Sequence, residues 1–582
     1  MTVSAALLPA AVLLPLGMAT LLLALAHWLP PRLSNLVAIA TALALAAICA
    51  ILARAALDGP ILHWFGGWTP GFSTKPGIVL GVSFAADPAS ATVSAFAALL
   101  FAVSFTFAWG YFDEVHSHFQ VLMLLFLAAI TGFCLTHDVF NLFVWFELMS
   151  VAAFALTAYP LGKSSLEGAF NFTITNALGS FFMLAGVGLL YARTGTLDFA
   201  QMGRTVAAIG SDPVLTGGFC LIAAALLTKA AIVPFHMWLS DAHAVAPSPV
   251  SVIFSGIMVS VALFALAKLI AQVFVHDPDV LRLAQSGLPW MGTATAIIGG
   301  AMAWAQRHLK RLLAFSTIAH LGIMLIGFAA VTPSGTAGFL LYLLGHGLVK
   351  GALFMIAGIL LALRASADEI VLYKKGRDLW PAGVAMAVGG FLLGGFPFGL
   401  MHDATDLIGR AAPVTDFAIT AATALTGGAV VRAALRIFAG VSGAPGVERT
   451  EPTEREREKD DRPLWLMLAP CGALLAIALI PGHILTPFIR EASARLIEAG
   501  GESIAQAPVG QNPLLSYAPI ALTAALVILV LARRRPTTTF ARRLFAMEAF
   551  PFRALSFLHS GVVGDYVSWM ILGIAALALA VG

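Results

Sequence analysis

Apolar runs of membrane-crossing length recur from one end of this chain to the other. A helix that crosses a bilayer needs about 20 apolar residues. Runs of that kind lie near 5–27, 34–56, 90–110, 118–136, 138–159, 166–192, 214–234, 246–275, 288–305, 309–331, 334–362, 380–400, 414–439, 463–485, 514–532 and 562–581. The pattern predicts an all-α polytopic membrane protein with about 14–16 transmembrane helices. Four stretches break it. Residues 57–88, rich in Gly, Pro and Trp, read as an outer loop with some extended structure. Residues 442–462 are mixed-charge and read as a cytoplasmic linker. Residues 486–500 are amphipathic and suit the outer membrane surface. The basic run at 533–543 suits anionic headgroups.

Composition agrees with a chain that lies mostly in lipid. Of 582 residues, 59% are hydrophobic and 11% charged, against about 25% charged in soluble domains. A net charge of +3 with no basic, aromatic face gives no reason to expect nucleic acid. Cys49, Cys134, Cys220 and Cys471 are scattered through apolar segments without a paired spacing, so no iron–sulfur or zinc site is expected. There is no Rossmann glycine motif and no P-loop. The expectation is therefore no cofactor, no metal and no redox chemistry in this chain. No basic segment precedes the first apolar run, which reads as a retained span. Basic residues favour one set of loops: Arg32, Lys163, Arg307/Lys310/Arg311, Lys374/Lys375/Arg377, and the runs at 449–462 and 533–543. Lys75, Arg193, Arg204 and Arg410 fall on the opposite side. The positive-inside rule then puts both termini outside the membrane.

Polar groups at membrane depth are expensive and mark function or pairing. Lys229 closes an apolar run and is followed by Pro234, His236, Asp241, His243, Pro247 and Pro249. It is either a lysine snorkelling from a helix end or the centre of a polar path. Glu147 lies mid-span in the segment opened by Asp138. With Lys229 it makes a proton-loading pair or a structural ion pair. His320 sits inside a helix, and His346 and Lys350, four apart, share a helix face. Histidine titrates near neutrality and suits a relay, although a buried histidine can also be a plain core residue. Asp113, Glu114, His116 and His118 read as a solvated loop rather than a metal site. Asp403 and Asp406 follow a Gly-Pro-Gly stretch that suggests a broken helix, which must line a cavity or protein.

Five motifs carry a resemblance: HDVFNLFVWFELMSVAAFALTAY, NALGSFFMLAGVGLLYARTGTLDFAQM, TKAAIVPFHMWLSDAHAVAPSPVSVIFSGIMV, QRHLKRLLAFSTIAHLGIMLIGF and LGHGLVKGALFMIAGIL. They resemble the proton-antiporter membrane subunits shared by respiratory complex I, Mrp-type cation/proton antiporters and membrane-bound hydrogenases. The AHAVAPSPVSVIFSGIMV run is most similar to the large antiporter-like subunit of hydrogenase-4 and formate hydrogenlyase. The resemblance implies two inverted five-helix repeats, each with a discontinuous helix. It divides the chain into N-terminal helices and outer loop (1–117), first repeat (118–275), connecting helix (276–308), second repeat (309–439), charged linker (440–462) and C-terminal helices (463–582). It implies Glu147 as the ion-pair glutamate, Lys229 as the central lysine, His236 and His243 beside the break, and His320, His346 and Lys350 as the onward relay. Asp138, Ser260, Lys268, Asp403 and Asp406 are secondary candidates. Ser260 stands where the family usually has a second lysine, with Lys268 two turns later. Ala404 stands where a lysine or glutamate follows the second break.

The function implied is proton translocation, or Na⁺/H⁺ exchange, by one membrane subunit of a multi-subunit complex I-like, Mrp-like or hydrogenase complex in a bacterial inner membrane. Other membrane subunits and the lipid bilayer are the expected partners, and any redox reaction would belong to them. The alternatives are a degenerate antiporter-like scaffold that anchors a carbon-uptake or hydrogenase module, and an Mrp-like antiporter subunit.

Overall fold

The computed structural model describes residues 3–69, 81–109, 118–441, 462–498, 517–532 and 562–581. Each of the sixteen predicted apolar runs falls on a helix. The N-terminal helices are α1 (Val3–Ala24), α2 (Pro31–Ala55) and α3 (Pro88–Phe107). Between α2 and α3, β1 (Ile61–Trp64) pairs antiparallel with β2 (Ser83–Ala86), which supplies the extended structure expected there. Then come α4 (His118–Leu135), α5 (Val139–Ala158) and α6 (Lys163–Thr194). His118 is exposed at the start of α4, while Asp113, Glu114 and His116 lie outside the described residues. So do nearly all of the 442–462 linker and the 533–543 basic run.

Several short helices lie outside the apolar runs. α7 (Phe199–Ile209) is amphipathic and buries Phe199, Met202 and Val206, spaced by about one helical turn. α8 (Pro213–Lys229) stops at the lysine, short of the predicted end, and the chain resumes as α9 (Met237–Val245). α10 (Ser248–Ile253) and α11 (Val259–Gln272) form one helix through a π turn at Phe254–Met258. After the five-residue α12 (Pro278–Arg282) come α13 (Leu288–Ala305), α14 (Leu309–Ala329) and α15 (Pro333–Arg364). α16 (Trp380–Leu393) also stops early, and α17 (Leu400–Ala411) follows its break; α18 (Asp416–Ala434) comes next. The C-terminal part holds α19 (Leu464–Ala478), α20 (Thr486–Glu498), α21 (Ala518–Ala532) and α22 (Val563–Val581). The amphipathic α20 buries Ile489, Ala492 and Leu496 against α3, α11 and α15.

Among the described residues, ten helices are long and apolar enough to span a membrane. The Ser248–Gln272 helix and α14 are wholly buried, and α15 nearly so. These three make the interior, and the flanks of α1, α2, α5 and α6 are left to lipid or partners.

The middle of the chain repeats itself. Asp138 forms an isolated antiparallel bridge with Asp198, and His308 forms one with Asp368, at the same sixty-residue separation. The flanking bonds match. Val139 N–H donates to Leu197 O at 2.9 Å and Phe199 N–H to His137 O at 3.0 Å; Leu309 N–H donates to Ala367 O at 2.8 Å and Glu369 N–H to Arg307 O at 3.0 Å. α4 and α13 are each 18 residues long, and α6 and α15 each 32. α8 and α16 both end in a break followed by a short helix.

Candidate functional site: a buried polar axis across two broken helices

The first break begins directly after Lys229. Ala231 adopts a left-handed φ of 51°, a conformation that costs a β-carbon-bearing residue about 1–3 kcal/mol. The backbone groups freed by the break are matched by neighbours, as they must be at membrane depth. Val233 N–H donates to Thr295 Oγ1 of α13 at 3.1 Å. Trp238 Nε1 donates to Thr228 O at 2.8 Å. The second break uses glycine instead: Gly395 and Gly399 have φ of 83° and 95°. A Cβ on Gly399 would lie 2.6 Å from Ala478 O, so α19 approaches too closely for any side chain there.

Lys229 is fully buried. An ionised lysine at mid-bilayer costs about 2.5–3.5 kcal/mol on insertion scales, so its surroundings matter. Its Nζ donates to Ser150 Oγ of α5 and stands 4.2 Å from the Phe146 ring centroid, a cation–π contact. Glu147, one turn before Ser150, accepts the hydroxyl of Ser180 from α6. Glu147 acts on Lys229 electrostatically, yet each is hydrogen-bonded to a serine and not to the other. Glu147 is only half-buried, on the flank of α5. The two expected partners are therefore held by separate serines, Lys229 by Ser150 and Glu147 by Ser180. Sequence reasoning missed both serines, because hydroxyls in apolar helices usually serve only their own backbone.

The second half holds its own cluster on matched helices. Lys350 Nζ donates to Ser316 Oγ at 2.6 Å and to Leu313 O at 2.9 Å, both on α14. His346, one turn earlier on α15, has its ring centroid 5.5 Å from that of His320. His320 is held at both nitrogens, Nδ1 to Tyr342 Oη at 2.6 Å and Nε2 to Thr426 Oγ1 at 3.0 Å. All of these side chains are buried. Ser180 and Asn176 hold the places in α6 that Lys350 and His346 hold in α15, counted from each helix start.

The histidines near the break differ in setting. His236 is buried at the start of α9. His243 stacks on Phe354, with centroids 4.6 Å apart, and meets the edge of Phe254. Phe354 lies one turn after Lys350, so His243 faces the second-half cluster, whose Lys350 acts on it electrostatically. Lys310 corrects the loop reading given to it. Its neighbours Arg307 and Arg311 are partly exposed, but Lys310 is fully buried and donates to Ala246 O just after α9.

The secondary candidates lie apart from this axis. Asp138 caps α5 by accepting Asn141 N–H at 2.7 Å. Ser260 turns back on its own helix, donating to Ile257 O at 3.3 Å. Lys268 is buried near the N-terminus of α3, donating to Thr136 O at 2.9 Å and Cys134 O at 3.1 Å, with Asp87 at 4.0 Å. Asp403 and Asp406 are half-buried on α17; Asp406 pairs with Arg410 at 2.5 Å, and Ala404 is buried between them.

Residues 136–426, half of the chain, match the NADH:quinone oxidoreductase/Mrp antiporter transmembrane family. The chain belongs to that family. It is 34% identical to NADH-quinone oxidoreductase subunit N of Desulforudis audaxviator over 55% of its own length and 63% of the relative's, so just under two thirds of that relative is covered. It is 30% identical to the antiporter subunit mnhD2 of Staphylococcus epidermidis over 63% of its length and 72% of the relative's. In fold it is similar to a chain of the Mrp complex of a Dietzia species, with TM-score 0.73, 23% identity, and 90% of this chain and 100% of that one covered. The family match covers both broken helices in full and every residue of the axis. The chain is a polytopic, antiporter-like membrane subunit.

Proposed function

We propose that this chain moves protons across a bacterial inner membrane, with or without Na⁺ in exchange, as one subunit of a larger Mrp-like, complex I-like or hydrogenase-type complex. The observation that carries the reading is Lys229, fully buried at a helix break and held by Ser150 within the electrostatic reach of Glu147. A change of charge at half-buried Glu147 alters how readily Lys229 holds its proton. The second cluster offers the same logic on matched helices, with Lys350 leading to His346 and His320 and on to Tyr342 and Thr426. The chain's own residues hold and pass protons; redox chemistry is left to partner subunits.

The matched lengths and bridges support a second repeat that starts with α13, not at residue 309, so that each repeat has five crossings. An odd number of crossings inverts the second copy. With the basic loops inside, both termini lie outside.

Exchange of Glu147 for Gln tests the reading, because it keeps the bond from Ser180 and removes the charge. Proton flux into everted vesicles carrying the assembled complex should fall by about 100-fold, with the complex present at its normal level. Unchanged flux would count against it. The rival reading, a scaffold that anchors partner subunits without conducting, draws on Ser260 and Ala404, two buried positions without an ionisable group. It predicts normal partner activity and no flux in the unmodified chain.

A further inference from the structure

The matched helices α4 and α13 leave their last backbone carbonyls without helical partners, as every helix does. In each half one buried basic side chain fills that end. In the second half Arg432 donates to Trp304 O at 2.6 Å and to Gln306 O at 2.8 Å. In the first half Lys268 donates to Cys134 O at 3.1 Å and to Thr136 O at 2.9 Å. Cys134 and Trp304 are each the last residue but one of their helix, and Thr136 and Gln306 each the first residue after it. The two caps differ in what they can give up. Arg432 lies 3.4 Å from Glu369, with Arg436 on the same carboxylate, and a guanidinium keeps its proton throughout. The Lys268 amine can lose its own. Besides the two carbonyls it has Ser90 Oγ at 3.3 Å and Asp87 Oδ2 at 4.0 Å. Ser90 steadies that carboxylate, its hydroxyl donating to Oδ2 at 2.5 Å and its backbone N–H to Oδ1 at 2.8 Å. Asp87, Ser90, Thr136 and Lys268 are buried, while His137, the next residue, is partly exposed. The cluster therefore lies close under the surface, at the end that carries the β-hairpin, whose Phe84 bridges Thr136.

Carbonyls at a helix C-terminus, a hydroxyl and a carboxylate converging on one positive charge are also the donors that hold a dehydrated alkali cation. We propose that Cys134 O, Thr136 O, Ser90 Oγ and the Asp87 carboxylate form a binding site for one Na⁺, with the Lys268 ammonium as its built-in competitor. When Lys268 loses a proton to water, it no longer neutralises Asp87, and Na⁺ enters against the same oxygens. When Na⁺ leaves, Lys268 takes up a proton and closes the site. One positive charge replaces another, and nothing is oxidised or consumed. Among the described residues, the titratable groups within electrostatic reach of Lys268 are Asp87 on α3, Cys134 on α4 and His137 just after it. Since Lys268 must be unprotonated for Na⁺ to enter, occupancy by Na⁺ rises with pH. The inference rests on the exchange reading above and names the place at which Na⁺ is exchanged for a proton.

The test uses everted vesicles in which the full-length chain is assembled with its native partners. A pH gradient is imposed, uptake of radiolabelled Na⁺ is measured, and proton flux is followed on the same vesicles with a fluorescent pH probe. Unmodified vesicles should take up Na⁺. Lys268→Arg keeps the cap and its charge but not the releasable proton; it should assemble normally and lower Na⁺ uptake at least about tenfold. Asp87→Asn removes the charged ligand and should raise the Na⁺ concentration for half-maximal uptake at least about tenfold. Undiminished uptake in Lys268→Arg would make Lys268 a helix cap alone, as Arg432 is, and overturn the site. Vesicles of the unmodified chain that pass protons but take up no Na⁺ would also overturn it, and leave the proton-translocating reading standing. Lys229→Ala runs in parallel, and normal proton flux there would overturn that reading, whatever the result at Lys268. If Lys268→Arg does not assemble, Asp87→Asn decides; an unchanged half-maximal concentration, or failure of both variants to assemble, would assign the cluster to packing and overturn the proposal.

Discussion

Ser180 and Lys350 occupy the same place in two matched 32-residue helices, one a hydroxyl and the other an amine. Each reaches to the neighbouring helix of its own set: Ser180 to Glu147 on α5, Lys350 to Ser316 on α14. The two halves thus share a geometry and differ in which helix supplies the charge. In the first half the carboxylate is on α5 and the hydroxyl on α6. Ser180→Ala should leave the Glu147 carboxyl in place but poorly held, and lower flux by about three- to tenfold, less than loss of the carboxyl itself. Initial rates of pH-gradient decay in vesicles check this. An effect equal to that of Glu147→Gln would mean that Ser180 itself carries the proton.

In the second half Lys350→Met removes the amino group while keeping the length of the side chain. Flux should fall below detection, because His346 and His320 then lie beyond a gap. Tyr342→Phe breaks only the bond to His320 Nδ1, and a fall of about two- to fivefold is expected from one lost hydrogen bond. The comparison is made on membranes matched for the amount of assembled complex. A silent Lys350→Met would confine the path to the first half.

Ser260 separates the family pattern from what this chain does. Its hydroxyl bonds within its own helix, so Ser260→Ala should leave flux unchanged within about twofold and stability within about 1 kcal/mol. Ser260→Lys forces a long side chain into a wholly buried helix, and overpacking of that kind costs about 1–3 kcal/mol. Less assembled complex is expected on native gels, with no gain in flux. A well-assembled Ser260→Lys variant of higher flux would show that there is space, and that a lysine there improves the path.

The C-terminal helix α22 holds the first break from outside. Tyr566 donates to Asp241 Oδ2 at 2.6 Å, and a Cβ on Gly573 would lie 2.5 Å from the Phe235 ring and 2.7 Å from Pro234. Gly573→Leu should push α22 off the break and expose it to protease in membranes under conditions where the unmodified chain is protected. Tyr566→Phe should have a smaller effect, about 1 kcal/mol. Equal protection of Gly573→Leu would place α22 elsewhere.

The long apolar runs were legible because about 20 consecutive apolar residues leave few other choices in lipid. The burial of Lys229, His320, His346 and Lys350 was legible for the converse reason: each stands out where polar groups are costly. α9 and α17 were not, since nine and twelve residues of mixed polarity lack the length of a span. Lys310 was misplaced because three basic residues within five positions look alike in a loop rule. Helical rotation turns one of them inward, and only packing decides which. Ser150 and Ser180 carry no signal in a single sequence. Each also bonds its own helix backbone, and what matters is the partner on the next helix.

The central claim is that a proton is held at Lys229 and released under the influence of Glu147. The direct measurement is proton flux per unit of assembled complex for Lys229→Ala, in everted vesicles, with partner-subunit activity assayed on the same membranes. The account predicts intact assembly and partner activity, with flux reduced to the level of vesicles lacking the complex. Normal flux in Lys229→Ala would contradict it.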